Sequence, residues 1–215
     1  MRMYPIFFLF LAAALGAETL RLPFEGRWFV YQGGDTPNVN HHMAVRAQWY
    51  GIDFVKTGGQ GGRALTQGEG RRLEDFYSWG EPVLAPLAGE VVAVVNDLPD
   101  HPLGEKDAAQ PAGNHVVIRT AAGHYLFLGH LQEGSVAVEP GAQVEVGDML
   151  GKVGNSGHSD FPHLHLHLQT EPALNQGLGL NLTFAGIDVE LTGKRFTNVE
   201  WPLIRGLFVS PTGAE

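Results

Sequence analysis

Pro162-His163-Leu164-His165-Leu166-His167-Leu168 alternates between imidazole and leucine without a break. Only an extended strand has a period of two, which puts the three histidines on one face and the three leucines on the other. A helix would scatter both sets around its circumference. The leucine face needs a covering layer, so this strand has a core on one side and a row of nitrogen donors on the other. An H-x-H pair on a strand lets neighbouring imidazoles converge on one centre, which is a metal-ligand geometry. A purely structural histidine row would satisfy the same pattern.

The rest of the chain has a similar texture. From Gly26 onward, short apolar runs are separated by glycine and proline, and helical periodicity is nearly absent. The 29 glycines supply the tight turns that such a chain needs. Strands are predicted at residues 28–32, 42–47, 52–57, 82–85, 90–96, 115–120, 124–130, 149–153 and 163–170, with a hairpin turn at 121–123. This pattern predicts a mostly β fold, a small antiparallel β sandwich or sheet with a metal-binding groove at strand ends. Residues after Glu171 are expected to add closing strands. Residues 58–72, six of them glycine, are expected to be mobile, and the three-proline stretch 97–113 is too long for an ordinary connection.

The N-terminus has a different character. Met1 and Arg2 precede an apolar run from Met3 to about Gly16 that ends in small residues. The run is shorter than the roughly 20 residues needed to cross a bilayer, so residues 1–17 read as a signal peptide and 18–215 as a single β-rich domain. Export to the periplasm or the extracellular space is the expectation, with no membrane insertion after signal removal. The formal net charge of −9 argues against nucleic acid or an anionic membrane as a partner. The absence of cysteine excludes thiol catalysis and leaves ten histidines as the plentiful nitrogen ligands.

Asp53 lies in Gly51-Ile52-Asp53-Phe54-Val55, among large apolar neighbours. A carboxylate there must be paired, hydrogen-bonded or bound to a cation, because a lone buried charge is very costly. Two imidazoles, one carboxylate and water make an open zinc site; capping of a turn is the other reading of Asp53. Asn40-His41-His42 offers a further nitrogen eleven residues upstream, and Gly129-His130 ends another alternating strand.

Val153-Gly154-Asn155-Ser156-Gly157-His158-Ser159-Asp160-Phe161-Pro162-His163-Leu164-His165 resembles the terminal signature of the lysostaphin-like (LytM-like) zinc endopeptidases. The resemblance extends through Trp79-Gly80-Glu81-Pro82, Gly113-Asn114-His115 and Tyr125 to Leu131, over a recognisable core of about residues 40–170. It implies a zinc-dependent metalloendopeptidase that cuts peptide bonds in peptidoglycan, with one zinc per chain. Asp53 and His165 become metal ligands, while His130 and His163 become catalytic histidines that do not bind the metal. The usual pattern has a histidine four residues before the aspartate, where this chain has Trp49. The sequence instead resembles a branch that takes this ligand from an Asn-x-His stretch, which points to His42 rather than His41. His167 then falls behind the metal ligands or on the groove wall, and His101, His115, His124 and His158 are read as structural. The alternative is a catalytically inactive member that binds the cell wall or activates another hydrolase.

Overall fold

A computed structural model of the chain describes residues 18–214. The expected signal peptide lies outside them. Among the described residues, no helix is long and apolar enough to cross a membrane. The strands in chain order are β1 Glu18–Leu20, β2 Trp28–Gln32, β3 Ile52–Lys56, β4 Pro82–Leu84, β5 Gly89–Val95, β6 Asn114–Arg119 and β7 Tyr125–Leu131. They continue as β8 Gln143–Val144, β9 Met149–Lys152, β10 Leu164–Gln169, β11 Gly179–Leu180, β12 Leu182–Leu191, β13 Lys194–Trp201 and β14 Phe208–Pro211.

The main sheet runs β1-β12-β14-β2-β3-β10-β7-β6-β5-β8, with β11 alongside β10 and β13 alongside β12. Within it only the β1–β12 pair is parallel. β4 and β9 form a separate ladder. The leucines of β10 do what the alternation requires. Leu164, Leu166 and Leu168 are fully buried, in one core with Ile52 and Phe54 of β3 and Leu126 and Leu128 of β7. Val83 of β4 and Leu150 of β9 cover that core from the second ladder. The fold is mostly β, as the residue pattern predicts.

Register fixes the opposite face. On β10, His165 pairs with Asp53 of β3 on one side and with Gly129 of β7 on the other. Three strands thus set a histidine, a carboxylate and an open position side by side. The β2–β3 ladder slips between Val30 and Gln32, leaving Tyr31 as the extra residue of a bulge. Bulges of this kind re-aim a side chain, and Tyr31 faces the same cleft as Asp53.

Eight of the nine expected strands form within a residue or two of their expected bounds. The exception is 42–47, which forms two 3-10 turns, His41–Ala44 and Arg46–Gln48. Asn40 diverts the chain there: its side-chain oxygen accepts from the backbone of His42 and caps the first turn. The hairpin at 121–123 closes as expected, with Gly123 at φ +84° and its N–H donating to Thr120 O at 2.9 Å. The 58–72 stretch folds back on itself through the Gly58–Ala64 bridge and is tied to the segment that follows it through Thr66–Phe76.

The long 97–113 connection is anchored from below. Buried Asn114 exchanges hydrogen bonds with the backbone of Leu98, and Asp100 accepts from the backbone of Asn155 at 2.5 Å and of Glu133 at 2.9 Å. These anchors carry Lys106, Pro111 and Ala112 to the rim of the histidine face. Beyond Glu171, β12 and β14 extend the main sheet past β2.

Candidate metal centre

The histidine face opens into a cleft of about 480 Å³. Its floor is β3, β7 and β10, and its walls come from the His41–Ala44 turn, the 97–113 connection and the 158–163 segment. Gly129 keeps the floor open: a Cβ there would meet Ala112 O at 3.0 Å, above His165.

Asp53 is the centre of the group. Its Oδ1 lies 2.9 Å from His165 Nδ1, 3.3 Å from His42 Nε2 and 3.6 Å from His163 Nε2. The carboxylate is 3% exposed, so water offers it almost nothing. Burial pushes the Asp53 carboxyl up, but His42, His163 and His165 outweigh burial and hold it well below the usual carboxylate range. Burial pushes the His165 imidazole down to about 3, so it is neutral at physiological pH. Burial, with His163 and His165 nearby, also holds His130 well below the ordinary histidine value.

Neighbouring groups fix the proton on three of these rings. Asn40 Nδ2 donates to Gly34 O at 2.7 Å and Gly51 O at 3.0 Å, so its Oδ1 must be the atom 2.8 Å from His42 Nδ1. An amide oxygen only accepts, so His42 carries its hydrogen on Nδ1 and turns toward Asp53 through Nε2. His130 Nδ1 donates to Ser156 O at 2.9 Å, and His163 Nδ1 to Phe161 O at 2.8 Å. In their neutral forms, all three present an Nε2 lone pair to the cleft.

A carboxylate and several imidazole lone pairs aimed at one space repel unless a cation lies among them. The donor set of two nitrogens and one oxygen suits zinc, and tetrahedral zinc with bonds of about 2.0–2.1 Å separates its ligand atoms by roughly 3.3 Å. The contacts of Asp53 with His42 and His165, at 3.3 and 2.9 Å, fit that spacing. His41, His42 and Asp53 also hold ligand atoms within 4.8 Å of one another. The two adjacent histidines differ in setting, however. His42 is buried with its second nitrogen anchored, whereas His41 is exposed, with its ring 4.1 Å from that of His42. Trp49 does not line the cleft; its Nε1 donates to Met43 O at 3.1 Å.

His130 and His163 face each other across the opening, with ring centroids 4.7 Å apart. His130 sits at φ +59°, a strained setting for a residue with a side chain and one that clusters at functional sites. Sequence reasoning missed Tyr31, Phe161 and Lys106. Phe161 packs edge-on to Tyr31 at 5.2 Å and stacks on Phe76 at 5.7 Å, giving the cleft an apolar wall. Lys106 pairs with Asp160 at 2.6 Å on the rim. Tyr31 and Lys106 had no periodic or spacing signal, and Phe161 lay within the Val153–His165 signature without a role assigned to it. His158, read as structural, also lines the cleft, held there by its backbone bond to Pro111 O.

Residues 74–176 match the model of peptidase family M23. The matched stretch is just under half of the chain, 103 of its 215 residues. The match includes His130, His163 and His165 but begins after His42 and Asp53; the β3–β10 register brings Asp53 to them, and the turn capped by Asn40 brings His42. Over 81 residues the chain is 41% identical to Endolysin 2638A of Staphylococcus phage 2638A, covering 36% of this chain and 17% of that protein's length. Among solved structures it is similar to the catalytic domain of the antimicrobial peptidase lysostaphin from Staphylococcus simulans. That similarity is 20% identity over 70% of this chain and 84% of the other, with a TM-score of 0.40. A mutant catalytic domain of the prophage-encoded M23 protein EnpA from Enterococcus faecalis is also similar, at 20% identity over 75% and 93% of the two chains and a TM-score of 0.47.

Proposed function

We propose that this protein is a member of peptidase family M23, an exported zinc metalloendopeptidase that hydrolyses peptide bonds in peptidoglycan, in the periplasm or outside the cell. Residues 1–17 serve as a signal peptide and 18–215 as one metallopeptidase domain. One zinc per chain is held by His42, Asp53 and His165, with His130 and His163 as the catalytic histidines. The observation that carries this reading is the meeting of a buried carboxylate with imidazole nitrogens whose other ring positions are already occupied.

When bound, zinc supplies Lewis acidity toward the scissile carbonyl and toward water. The chain's own residues handle the protons. His163 or His130 accepts a proton at Nε2 from the attacking water as its oxygen bonds to the carbonyl carbon. The imidazolium then hydrogen-bonds the developing oxyanion, and it returns the proton to the departing amine as the C–N bond breaks. Phe161 and Tyr31 exclude water on one side of the cleft, while its open end admits an extended peptide.

The test is zinc content of the purified protein together with release of peptides from purified peptidoglycan, with and without chelator, for wild type and His42→Ala. The expected result is one zinc per chain and chelator-sensitive release, both lost in the variant. Zinc-free protein that binds the wall without cutting it overturns the peptidase and leaves a wall-binding module.

A further inference from the structure

Behind His165 the β10 face continues inward through groups that the reaction does not touch. His165 Nε2 lies 2.9 Å from His167 Nδ1, and His167 Nε2 lies 3.2 Å from Gln169 Oε1. Gln169 Nε2 donates to two backbone carbonyls, Glu171 O at 2.6 Å and Ala173 O at 2.7 Å. His167 is 1% exposed and Gln169 fully buried, so water cannot stand in for any of these partners. Phe127 lies flat against the His167 ring, with centroids 4.8 Å apart and planes 9° from parallel, and so holds the imidazole in its plane.

The direction of every hydrogen bond in this row follows from its inner end. The carbonyls of Glu171 and Ala173 only accept, so the Gln169 amide must present its NH2 to them and its oxygen to His167. That oxygen only accepts, so His167 carries its hydrogen on Nε2. His167 Nδ1 is then an acceptor, so His165 must donate from Nε2. The remaining lone pair of His165, on Nδ1, faces Asp53. Flipping the Gln169 amide would set its oxygen against two carbonyl oxygens, and reversing either histidine would leave two N–H groups or two lone pairs in contact.

We propose that Gln169 and His167 are positioning residues: through a one-way row of hydrogen bonds they lock His165 in the tautomer that offers Nδ1 to a metal ion beside Asp53. The metal centre it serves is the one assigned under the proposed function. The opposing pull is Asp53, whose Oδ1 lies 2.9 Å from His165 Nδ1 and would accept from a hydrogen there; the row is what keeps that hydrogen on Nε2, with or without metal. Side-chain groups behind a ligand histidine that fix its tautomer typically change metal affinity about 10–100-fold when removed.

The experiment reads histidine tautomers directly, by long-range proton–nitrogen correlation NMR on 15N-labelled, metal-free wild-type protein. His165 and His167 are both expected in the Nε2–H form. A wild-type His165 with its hydrogen on Nδ1 overturns the proposal, with no variant needed. Zinc affinity, measured by competition with a chromophoric chelator, supplies the second arm. Gln169→Leu is expected to weaken zinc binding about 10–100-fold and to mix the tautomers of His167. His167→Glu restores an acceptor for His165 Nε2–H and is expected to bind more tightly than His167→Phe, which keeps the stacking on Phe127 but accepts nothing. Equal affinity in those two variants, both folded by circular dichroism, also overturns it. Wild-type protein with the expected tautomers but no zinc affinity supports the row and overturns the metallopeptidase reading, so the two failures are distinguishable.

Discussion

Asn40 Oδ1 lies 2.8 Å from His42 Nδ1 and also accepts from the His42 backbone, so one amide both starts the turn and orients the ring at its second residue. Its NH2 is tied to Gly34 and Gly51, on either side of the turn. Asn40→Leu is therefore expected to weaken zinc binding about 10–100-fold by freeing the His42 ring. It should also cost about 1–3 kcal/mol of stability from buried hydrogen bonds left unmade. Chelator competition and urea denaturation measure the two effects separately, and unchanged affinity would show that His42 needs no anchoring.

Asp53 and His163 should fail in different ways. Asp53→Ala is expected to lose the metal outright, because the carboxylate is the one anionic ligand in the set. His163→Ala is expected to keep most zinc while peptide release drops about 10²- to 10⁴-fold, the usual worth of a general acid or base. Zinc content alongside turnover checks this. Full zinc loss in His163→Ala would exchange the roles of His163 and His165.

Gly157 has φ +75°, and a Cβ there would lie 2.6 Å from Gln110 O, against the backbone of the long connection. It also follows Ser156, whose carbonyl holds His130. Gly157→Ala should destabilise the protein by roughly 1–3 kcal/mol from the strained backbone conformation alone. It should lower turnover further by moving Ser156. Thermal melting paired with turnover at a permissive temperature tests this, and a variant that melts with wild type while cutting normally would contradict it.

Metal-free protein should lose stability as pH falls from neutrality. Burial pushes the imidazoles of His165 and His167 down to about 3, whereas an unfolded chain protonates them near 6.5. Between those values the unfolded state binds more protons, so stability rises with pH through this window and is complete above its upper end. Urea midpoints of chelated protein at pH 5 and pH 7 give the comparison. The lower midpoint is expected at pH 5, and an equal or higher one there would mean that these rings are charged in the fold.

Much of this molecule could be read from residue order because β10 obeys a strict period. The sharing of one face by the three histidines and of the other by the buried leucines follows from alternation alone, and the 52–57 strand that carries Asp53 follows from its own apolar run. What was not legible depends on contacts between segments distant in sequence. His42 sits in a run with the alternating look of a strand, but Asn40 caps a 3-10 turn there, and no period reports a cap formed with Gly34 and Gly51. Tyr31 reaches the cleft through a bulge, a slip visible only when β2 is laid against β3. His158 and Lys106 arrive on connections fixed by Asn114 and Asp100, whose burial comes from tertiary packing rather than from neighbouring residues. The asymmetry is physical: patterning specifies which face is apolar, while loops take their course from hydrogen bonds that are non-local.

β3 and β10 are flanked on both sides, by β2 and β7, so the strands bearing Asp53 and His165 have no free edge where fraying could begin. Their amide protons should be among the last in the chain to exchange with solvent, released only by opening of the whole sheet, whereas those of the 158–163 wall should exchange through small local openings. The donor atoms on the floor should thereby keep their spacing through any local opening of the rim, so that what enters the cleft need not loosen the centre beneath it.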